Sequence, residues 1–415
     1  MITQSVPVQA VPVQAAPPRQ ASPAVIAPLA PLVGAGQPVP LVQGGQARYV
    51  NLDLAASAPA LQRVADRVSG LLPWYASVHR GAGYASLVST AAYESARATV
   101  GSFIGARPGD VVIFTRHTTD ALNLLAAATP GDVLYLDVEH HANLLPWQVR
   151  DGRVVTAQPT VAATLAAIGA ELSRRPAALL TVTGASNVTG ECLPLARLAA
   201  LAHACGARLA VDGAQLVPHR AVDLRATGID YLAFSGHKLY APFGAGVLAG
   251  PRDWLDAAPP HLAGGGAVRE VTASTVSWAS SPARHEAGTP NLPGAVALAA
   301  ACEELAALPP GALAAHEQAL SGRLSAGLAA LGATVHRIWP DAGDPVGIAS
   351  FTLPGADPGL LAAYLSAEHG IGVRDGRFCA HPLLARLGVP AAVRASIGIG
   401  TSSADVDRLL GAVGE

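Results

Sequence analysis

The segment Ile229-Asp-Tyr-Leu-Ala-Phe-Ser-Gly-His-Lys238 decides the fold, because an apolar strand in it ends abruptly in polar residues. A lysine at the end of a core strand costs free energy unless it has a partner or a chemical task. Burial lowers the pKa of a lysine, which is what Schiff-base chemistry requires. Taken alone, the segment is explained more simply by a Lys238 amine that extends back to solvent.

Four further segments have the same form, a short and continuously apolar run bounded by turn residues. They are 111–115, 133–137, 178–183 and 208–211. Helical candidates, such as 91–103 and 195–205, separate the apolar runs. This alternation is typical of a mostly parallel sheet that helices cover on both faces, so the predicted fold class is α/β.

Composition divides the chain into three parts. Residues 1–45 hold a direct repeat, Val6-Pro-Val-Gln-Ala10 and then Val11-Pro-Val-Gln-Ala15, and frequent prolines that block helices and strand ladders. We therefore expect a disordered tail there; docking of this tail on a neighbouring subunit is the alternative. Residues 46–300 are predicted to form a large domain, whose N-terminal segment joins a smaller α+β domain at 301–415.

Charge and cysteine content exclude several classes of protein. The 415 residues carry a net charge of -2 and no Lys/Arg run, which argues against a nucleic-acid surface. No apolar stretch approaches the roughly 18 residues of a membrane span, and no secretory signal begins the chain. The four cysteines, at 192, 205, 302 and 379, form no CxxC pair, so we expect a reduced, cytoplasmic protein without disulfides.

Polar residues cluster at the ends of the predicted strands, where open parallel sheets bind their ligands. Asp212 follows the strand 208–211 and can pair with a pyridinium nitrogen, although a helix cap is as good an explanation. Thr118 and Thr119 open a helix after the strand 111–115. Their hydroxyls and free backbone N–H groups can hold a phosphate, and ordinary N-capping explains them equally well.

A histidine pair follows the strand 133–137, in Glu139-His-His-Ala-Asn143. Adjacent side chains diverge and no third ligand stands at a suitable spacing, so we expect no metal site. A flat His140 imidazole that stacks on an aromatic cofactor fits better. Nucleotide binding is unsupported, because the partial glycine motif at 81–86 follows no strand and no GxxxxGK[ST] loop occurs.

Together these residues resemble the class V aminotransferase superfamily of pyridoxal-phosphate (PLP) fold type I. The resemblance is strongest to the SufS-like branch of cysteine desulfurases and selenocysteine lyases, and it runs from about Tyr49 to Leu410. The motifs that carry it are His79-Arg-Gly81, Glu139-His-His-Ala-Asn143, Ser186-Asn-Val188, Val211-Asp-Gly-Ala-Gln215, Ser235-Gly-His-Lys238, Glu286-Ala-Gly-Thr-Pro-Asn291 and Arg394-Ala-Ser396. It implies a large domain with a mostly parallel sheet and a smaller C-terminal α+β domain.

The resemblance implies how the cofactor ring would be held. Lys238 would carry PLP as a Schiff base and later move protons. Asp212 would bind the pyridine nitrogen, and Gln215 the phenolic oxygen. His140 would stack on the ring and shuttle a proton.

It also implies how the phosphate and the substrate would be held. The phosphate ligands would be the side chains of Thr118 or Thr119, Ser235 and His237. Thr289 would reach the phosphate of a partner subunit, so a homodimer is expected. Asn187 and Arg394 would grip the substrate carboxylate, with Arg374 as a second candidate.

The segment Arg374-Asp-Gly-Arg-Phe-Cys-Ala-His-Pro382 compares with Arg-x-Gly-His-His-Cys-Ala-x-Pro in the desulfurases. Arg377 and Phe378 stand where that pattern has two histidines. The resemblance implies that Cys379 takes the sulfur, and a nearby Arg377 would favour its thiolate. A buried, inert cysteine is the alternative for Cys379.

The expected activity is removal of sulfur from L-cysteine, which yields alanine and a Cys379 persulfide for a sulfur-acceptor protein. A PLP-dependent C–S lyase acting on a cysteine conjugate is the first alternative, followed by an epimerase or aminotransferase and by a PLP-binding scaffold without turnover. Two departures leave the exact substrate open, including selenocysteine. Gly400-Thr-Ser402 replaces the usual Tyr-Asn-Thr, and Asp53-Leu-Ala-Ala-Ser57 replaces Asp-Asn-Ala-Ala-Thr.

Overall fold

The computed structural model describes residues 25–415; the repeat at 6–15 lies outside the described residues. The strands are β1 Pro38–Pro40, β2 Gln46–Arg48, β3 Val50–Asn51, β4 Asp110–Thr115, β5 Val133–Leu136, β6 Arg153–Val155, β7 Leu179–Thr183, β8 Arg208–Asp212, β9 Tyr231–Ser235, β10 Gly246–Pro251, β11 Val268–Val271, β12 Val276–Trp278, β13 Thr334–Val335, β14 Ile348–Thr352, β15 Ile371–Gly372, β16 Arg374–Gly376 and β17 Ala392–Ser396. The α-helices are α1 Gln62–Leu71, α2 Tyr84–Phe103, α3 Thr118–Ala128, α4 Leu145–Gln148, α5 Val161–Arg174, α6 Leu195–Ala204, α7 Leu224–Thr227, α8 Arg252–Ala257, α9 Leu292–Ala306, α10 Ala312–Ala330, α11 Pro358–His369, α12 His381–Arg386 and α13 Ser403–Gly414. Short 3-10 helices span Leu72–Trp74, His141–Asn143 and Ala283–His285.

The large sheet has seven strands in the order β4-β10-β9-β8-β7-β5-β6. Neighbours from β9 to β6 are parallel, and β10 alone runs antiparallel to both of its neighbours. All five predicted strands lie in this sheet, with ends within two residues of the predicted ones. The α/β prediction is therefore confirmed, although α2 begins at Tyr84 and not at residue 91.

Burial on both faces explains why these strands read as continuous apolar runs. Alternate side chains of β5 enter two different hydrophobic clusters: Leu134 and Leu136 join one, and Val133 and Tyr135 join the other. Since successive side chains of a strand point to opposite faces, neither face of the sheet can be polar. Most polar residues are therefore left to the strand ends, which is where the site lies.

A second sheet, in the C-terminal part, is antiparallel with the order β13-β14-β17-β16. Helices α10 and α11 pack against it, and α13 packs on these two helices, around a separate cluster that includes Leu320, Leu365 and Leu409. The early strand β3 pairs with β15 beside this sheet. The main cluster of the large sheet also includes Phe378 and Leu384, so the boundary at residue 300 stays a prediction.

The predicted disordered tail is wrong for residues 25–45, which pack on the rest of the chain. Strand β1 pairs with β2, the Leu29 amide donates to the Ile399 carbonyl at 2.8 Å, and Leu32 bridges to Leu61. A two-stranded sheet is all edge, so it tolerates the prolines of β1. Residues 1–24 of the predicted tail lie outside the described residues.

Two further predictions concern cysteines and membranes. All four cysteines are free. Within residues 25–415, each helix is too short or too polar to cross a membrane.

Candidate active site

A cavity of about 460 Å³ lies beyond the carboxyl ends of β7, β8 and β9 and reaches β16 and β17. Twelve of the thirteen predicted site residues line it: Thr118, Thr119, His140, Asn187, Asp212, Gln215, Ser235, His237, Lys238, Arg374, Cys379 and Arg394. The thirteenth, Thr289, lies outside this cavity and is exposed. Strand-end geometry therefore collects residues that are up to 276 positions apart, from Thr118 to Arg394.

Lys238 follows β9 after a tight turn, in which its amide donates to the Ser235 carbonyl at 3.3 Å. Burial lowers the pKa of its amine to about 8, while the Asp212 carboxylate opposes this shift and Arg394 adds to it. Lys238 is also the only lysine of the chain, because the other 26 of its 27 basic residues are arginines. A single lysine in the whole sequence could have identified the residue that binds the cofactor, but the sequence analysis did not use this observation.

Asp212 and Gln215 lie at the end of β8 and in the turn after it. Asp212 is buried, its Oδ1 accepts from the Ala214 amide at 3.0 Å, and burial raises the pKa of its carboxyl. It caps no helix, because turns fill the chain up to α7. Gln215 donates from Nε2 to the Ala55 carbonyl at 2.7 Å. Its Oε1 is buried and finds no partner within residues 25–415, which marks a place for a ligand donor.

A hydroxyl pair ties the end of β9 to the first turn of α3. The Thr118 amide donates to Ser235 Oγ at 2.8 Å, and the two hydroxyl oxygens are 2.6 Å apart. His117, which the sequence analysis missed, caps α3 by accepting from the Asp120 amide, and it lines the cavity too. Burial lowers the pKa of His237 to about 4, so this ring is neutral. Hydroxyls beside a helix N-terminus suit an anionic phosphate.

His140 is held as a neutral imidazole. Its Nδ1 accepts from the Ala142 amide at 3.0 Å, which leaves the proton on Nε2. Burial, and then the charge of Lys238, lowers its pKa to about 3. The ring is tilted 42° from that of His141, and the two centroids are 6.2 Å apart, so the pair diverges as expected.

Glu139, just before His140 in the chain, is fully buried and joins two strand ends. Its Oε2 accepts from Asn143 Nδ2 at 2.7 Å, and its Oε1 accepts from the Thr183 amide at 3.0 Å. Asn143 cannot turn its amide over, because Oδ1 already accepts from Trp147 and Thr181. Burial raises the pKa of Glu139 to about 8. The network needs two acceptors at residue 139, which a carboxyl group provides and an amide does not.

Arg394, on strand β17, lines the C-terminal side of the cavity. It is only 3% exposed, donates from Nη1 to the Asn187 carbonyl at 2.9 Å and from Nη2 to Asp53 Oδ1 at 3.0 Å. Its Nε is buried and finds no partner within the described part of the chain. Arg374 Nη1 lies 3.9 Å from the other Asp53 oxygen and is more exposed. Arg394 and Arg374, the two predicted ligands of the substrate carboxylate, thus lie on either side of Asp53. The sequence analysis gave Asp53 no role.

Cys379 is exposed on the same side, so the alternative of a buried, inert cysteine is wrong. Phe378 and Cys379 have φ angles of 53° and 52°, a left-handed conformation that is uncommon outside glycine. Contacts hold it in place: Asn187 Nδ2 donates to the Phe378 carbonyl at 2.7 Å, and the His141 amide donates to the Cys379 carbonyl at 2.9 Å. The Phe378 ring is buried 5.2 Å from the Arg394 guanidinium.

Arg377 is not the cation that serves this thiol in the structure. Its Nε donates to the Pro390 carbonyl at 3.3 Å, and it does not line the cavity. Burial lowers the pKa of both Lys238 and Arg394, and the interaction of each with Cys379 opposes this shift in part. The sequence analysis chose Arg377 because it is close to Cys379 in the chain. The basic residues whose pKa responds to Cys379 are Lys238, after β9, and Arg394, on β17.

The departure at Gly400 has a packing explanation. A Cβ at this position would lie 2.4 Å from Leu32 Cδ1, so the ordered N-terminal segment fills the space that a side chain would need. Gly400 lines another cavity, beside Leu32, and not the one around Lys238. The missing aromatic is therefore no sign of a specialised substrate pocket.

Known proteins share this arrangement over nearly the whole chain. The sequence matches the family described as "Aminotransferase class-V" over residues 50–409. The chain belongs to this family. It is 40% identical over 379 residues to a cysteine desulfurase of Dickeya dadantii, covering 86% of this chain and 90% of the relative. It is 37% identical to a probable cysteine desulfurase of Vibrio cholerae, covering 88% and 92%.

Two solved structures are similar throughout. The cysteine desulfurase CsdA of Escherichia coli has a TM-score of 0.79 at 34% identity and covers 88% of this chain and 94% of its own. A cysteine desulfurase of Thermococcus onnurineus has a TM-score of 0.81 at 31% identity with the same coverage. The fold type I prediction is confirmed.

A class V aminotransferase uses PLP, and the cavity fits this cofactor. The chain supplies one amine of lowered pKa, a buried carboxylate and a hydroxyl-lined helix N-terminus in a single cavity. The unpartnered Gln215 Oε1 and Arg394 Nε add polar groups that need a ligand. Among residues 25–415, no group of three or more His, Cys, Asp or Glu side chains could hold a metal ion.

Proposed function

We propose that this class V aminotransferase is a PLP-dependent cysteine desulfurase that releases alanine and retains the sulfur on Cys379. The observation that carries the proposal is the position of an exposed thiol in the cavity of Lys238 and Asp212. An epimerase or an aminotransferase needs no such thiol. The names of the curated relatives support the same activity.

Residues of the large sheet would hold the cofactor. Lys238 would bind it covalently through Nζ, Asp212 would bind the ring nitrogen, Gln215 the phenolic oxygen, and His140 would stack on the ring. The phosphate ligands would be Thr118 or Thr119, Ser235 and His237. When bound, PLP withdraws electrons from the amino acid and makes its Cα–H acidic.

The remaining steps belong to side chains of the chain itself. Arg394 and Asn187 orient the substrate carboxylate, with Arg374 as a second cation. Lys238 Nζ accepts the Cα proton, which its lowered pKa permits near neutral pH. The Cys379 thiolate attacks the substrate sulfur, so that an S–S bond forms while the Cβ–S bond breaks. Cβ takes up the proton of the substrate thiol, and Lys238 Nζ returns its proton to Cα, so the products are alanine and a Cys379 persulfide.

A homodimer forms part of the proposal, in which Thr289 would bind the phosphate in the partner subunit. It is exposed and follows Gly288, whose carbonyl accepts from Arg80 at 3.0 Å. Large apolar side chains are exposed at the start of α2, where Tyr84 is 71% and Leu87 57% exposed. A cytoplasmic setting and a thiol-bearing sulfur-acceptor protein complete the proposal.

Product analysis tests the proposal. Holoenzyme is incubated with L-cysteine and a thiol reductant, and alanine, sulfide and pyruvate are quantified for wild type, Cys379→Ala and a Cys205→Ala control. We expect equimolar alanine and sulfide that Cys379→Ala abolishes and Cys205→Ala retains. Pyruvate in place of alanine would identify a C–S lyase, and undiminished activity of Cys379→Ala would refute the role of the thiol.

A further inference from the structure

Thr289 lies in an exposed loop that is anchored at both ends. The loop runs from Glu286, which follows a short 3-10 helix, to Asn291, the N-cap of α9. Asn291 Nδ2 donates to the carbonyls of residues 243 and 244 at 2.8 and 2.9 Å, which anchors one end. The side chain of Glu286 anchors the other end, so the position of the Thr289 hydroxyl depends on how Glu286 is held.

Four hydrogen bonds hold the Glu286 carboxylate. Its Oε1 accepts from the Phe114 amide and from Arg97 Nη1, both at 2.7 Å. Its Oε2 accepts from Tyr93 Oη and from Arg97 Nη2, both at 2.9 Å. The side chain of Glu286 is only 7% exposed and that of Arg97 only 13%, so the pair is shielded from water. A bidentate ion pair of this kind holds its two partners in one geometry.

The two sides of this carboxylate differ in how firmly the chain holds them. Phe114 belongs to β4, which pairs with β10 at all six of its positions. Thr118, an expected phosphate ligand of the same subunit, follows this strand and stays in place without Glu286. Residues 287–290 belong to no helix or strand, so Thr289 depends on the anchor at Glu286 more than Thr118 does. Loss of the anchor should therefore displace Thr289 and leave Thr118 in place.

An amide at residue 286 cannot replace the carboxylate. All four partner atoms are donors, and each carboxylate oxygen accepts from two of them. In Glu286→Gln one oxygen becomes an NH2 group, which donates and cannot accept, so two donors lose their acceptor. Arg97 keeps a counter-charge, because Glu94 Oε2 accepts from its Nε at 3.0 Å. The substitution is therefore expected to release the loop without leaving Arg97 unpaired.

We propose that Glu286 is a positioning residue, which holds Thr289 where it can bind the phosphate of the cofactor in the partner subunit. This inference rests on the proposed function, because it takes the homodimer and the phosphate contact of Thr289 from there. The four hydrogen bonds of Glu286 are all within one chain, yet its loss weakens cofactor binding in the other subunit.

Heterodimers test the inference, because they assign a loss of cofactor to one subunit. Two differently tagged chains are co-expressed, and the mixed dimers are purified on both tags. One subunit carries Lys238→Ala, so that only the other subunit holds PLP as a Schiff base. The loss of Schiff-base absorbance in PLP-free buffer gives the dissociation rate of that PLP.

The subunit that carries Glu286→Gln decides the outcome. With Glu286→Gln in the Lys238→Ala subunit, PLP should leave the wild-type subunit about ten-fold faster than it does beside Lys238→Ala alone. With Glu286→Gln in the subunit that holds PLP, the rate should not change. Faster release in the second arrangement only, an equal increase in both, or no increase in either would overturn the inference.

Two further variants control for charge and for folding. Glu94→Gln removes the same charge from the same arginine on the exposed side of α2, so PLP release should stay that of wild type. His79 also loses a partner there, but its amide still donates to Thr90 Oγ1 at 2.8 Å. Tyr93→Phe removes one of the four donors and should give the same pattern with a smaller increase. Wild-type release beside Tyr93→Phe would contradict the inference even if Glu286→Gln fails to fold.

Thr289→Val separates failure of this inference from failure of the proposed function. In the Lys238→Ala subunit it should reproduce the faster release, and adding Glu286→Gln should add nothing, because both changes remove one contact. If Thr289→Val has no effect, the dimer contact of the proposed function is wrong, and the inference falls with it. If Thr289→Val acts and Glu286→Gln does not, only the inference fails. Alanine formation from L-cysteine is measured separately on the homodimers.

Discussion

The cavity has two walls that are built in different ways. The strand-end wall, formed by His140, Asp212, Gln215, Ser235 and Lys238, consists of residues at or just after the carboxyl ends of parallel strands. Short turns and buried neighbours hold each of them. This wall matches its family motifs at every one of these positions.

The C-terminal wall, formed by Arg374, Phe378, Cys379 and Arg394, has another origin. Its thiol stands on a segment with two non-glycine residues at positive φ, which contacts from distant segments hold in place. This wall also carries the departure from the histidine pair of the desulfurases. Under the proposed function, the strand-end wall would hold the cofactor, whereas the C-terminal wall would bind the substrate and collect the sulfur.

The strand-end wall depends most on Lys238, and Lys238→Ala should have the largest effect. We expect activity to fall by about three orders of magnitude or more, because both the covalent attachment and the proton acceptor are lost. Borohydride reduction followed by mass spectrometry checks the attachment. Since the chain has one lysine, wild type should carry PLP at Lys238 and the variant should carry none. Covalent PLP in the variant would contradict the assignment.

The C-terminal wall depends on Phe378, whose ring anchors the segment of Cys379. In Phe378→Ala the free energy of unfolding should fall by about 3 kcal/mol, and alanine formation by about a hundred-fold, because the thiol is no longer held in place. PLP absorbance should stay that of wild type. Phe351→Ala is the control, since Phe351 is fully buried in the separate C-terminal cluster. If both variants lose activity equally, the two walls are not independent.

The pH dependence of cofactor uptake tests the electrostatics of the strand-end wall. Burial lowers the pKa of Lys238 to about 8, so half of the amine is neutral and reactive at that pH. The rate of PLP uptake by apoenzyme, followed by absorbance, should rise about ten-fold from pH 7, with a midpoint near pH 8, and level off above about pH 9. The Asp212 carboxylate raises this pKa, so Asp212→Asn should move the midpoint to lower pH. A midpoint near the ordinary 10.5, or a shift in the other direction, would contradict this account.

The smallest effect is expected for Arg377→Ala. Arg377 is exposed and, within residues 25–415, its side chain bonds only to the Pro390 carbonyl, so activity should change by less than about three-fold. Steady-state alanine formation, compared with Arg374→Ala in the same assay, measures this. A large loss in Arg377→Ala would restore the expectation that this residue activates Cys379.

The sequence located the residues of the strand-end wall because parallel strands with two buried faces leave most polar residues to their ends. Every such residue was visible as a break in an apolar run. By contrast, Asp53 accepts a hydrogen bond from Arg394, which is 341 positions away in the sequence, and no local sequence pattern predicts that contact. The same holds for Leu32, whose packing on Gly400 ordered a segment that proline content had assigned to the tail. Local sequence patterns therefore do not predict structure that depends on contacts between distant parts of the chain.

The sequence analysis also missed the role of Glu139, which lies next to the strand-end wall. Glu139 belongs to a motif that drew attention to its histidines, yet its own role depends on which atoms of Asn143 are already occupied. A hydrogen-bond network of this kind needs three-dimensional partners before its polarity can be worked out. The φ angles of Phe378 and Cys379 were equally beyond the sequence, because neither residue type favours that conformation.

A single turnover without reductant tests the division between the two walls most directly. Holoenzyme is given one equivalent of L-cysteine, alanine is quantified, and peptide mapping by mass spectrometry locates any added sulfur. We predict one equivalent of alanine and one extra sulfur atom, carried by the peptide that contains Cys379. Alanine without added sulfur on that peptide, or sulfur on the peptide of Cys192, Cys205 or Cys302, would contradict the account.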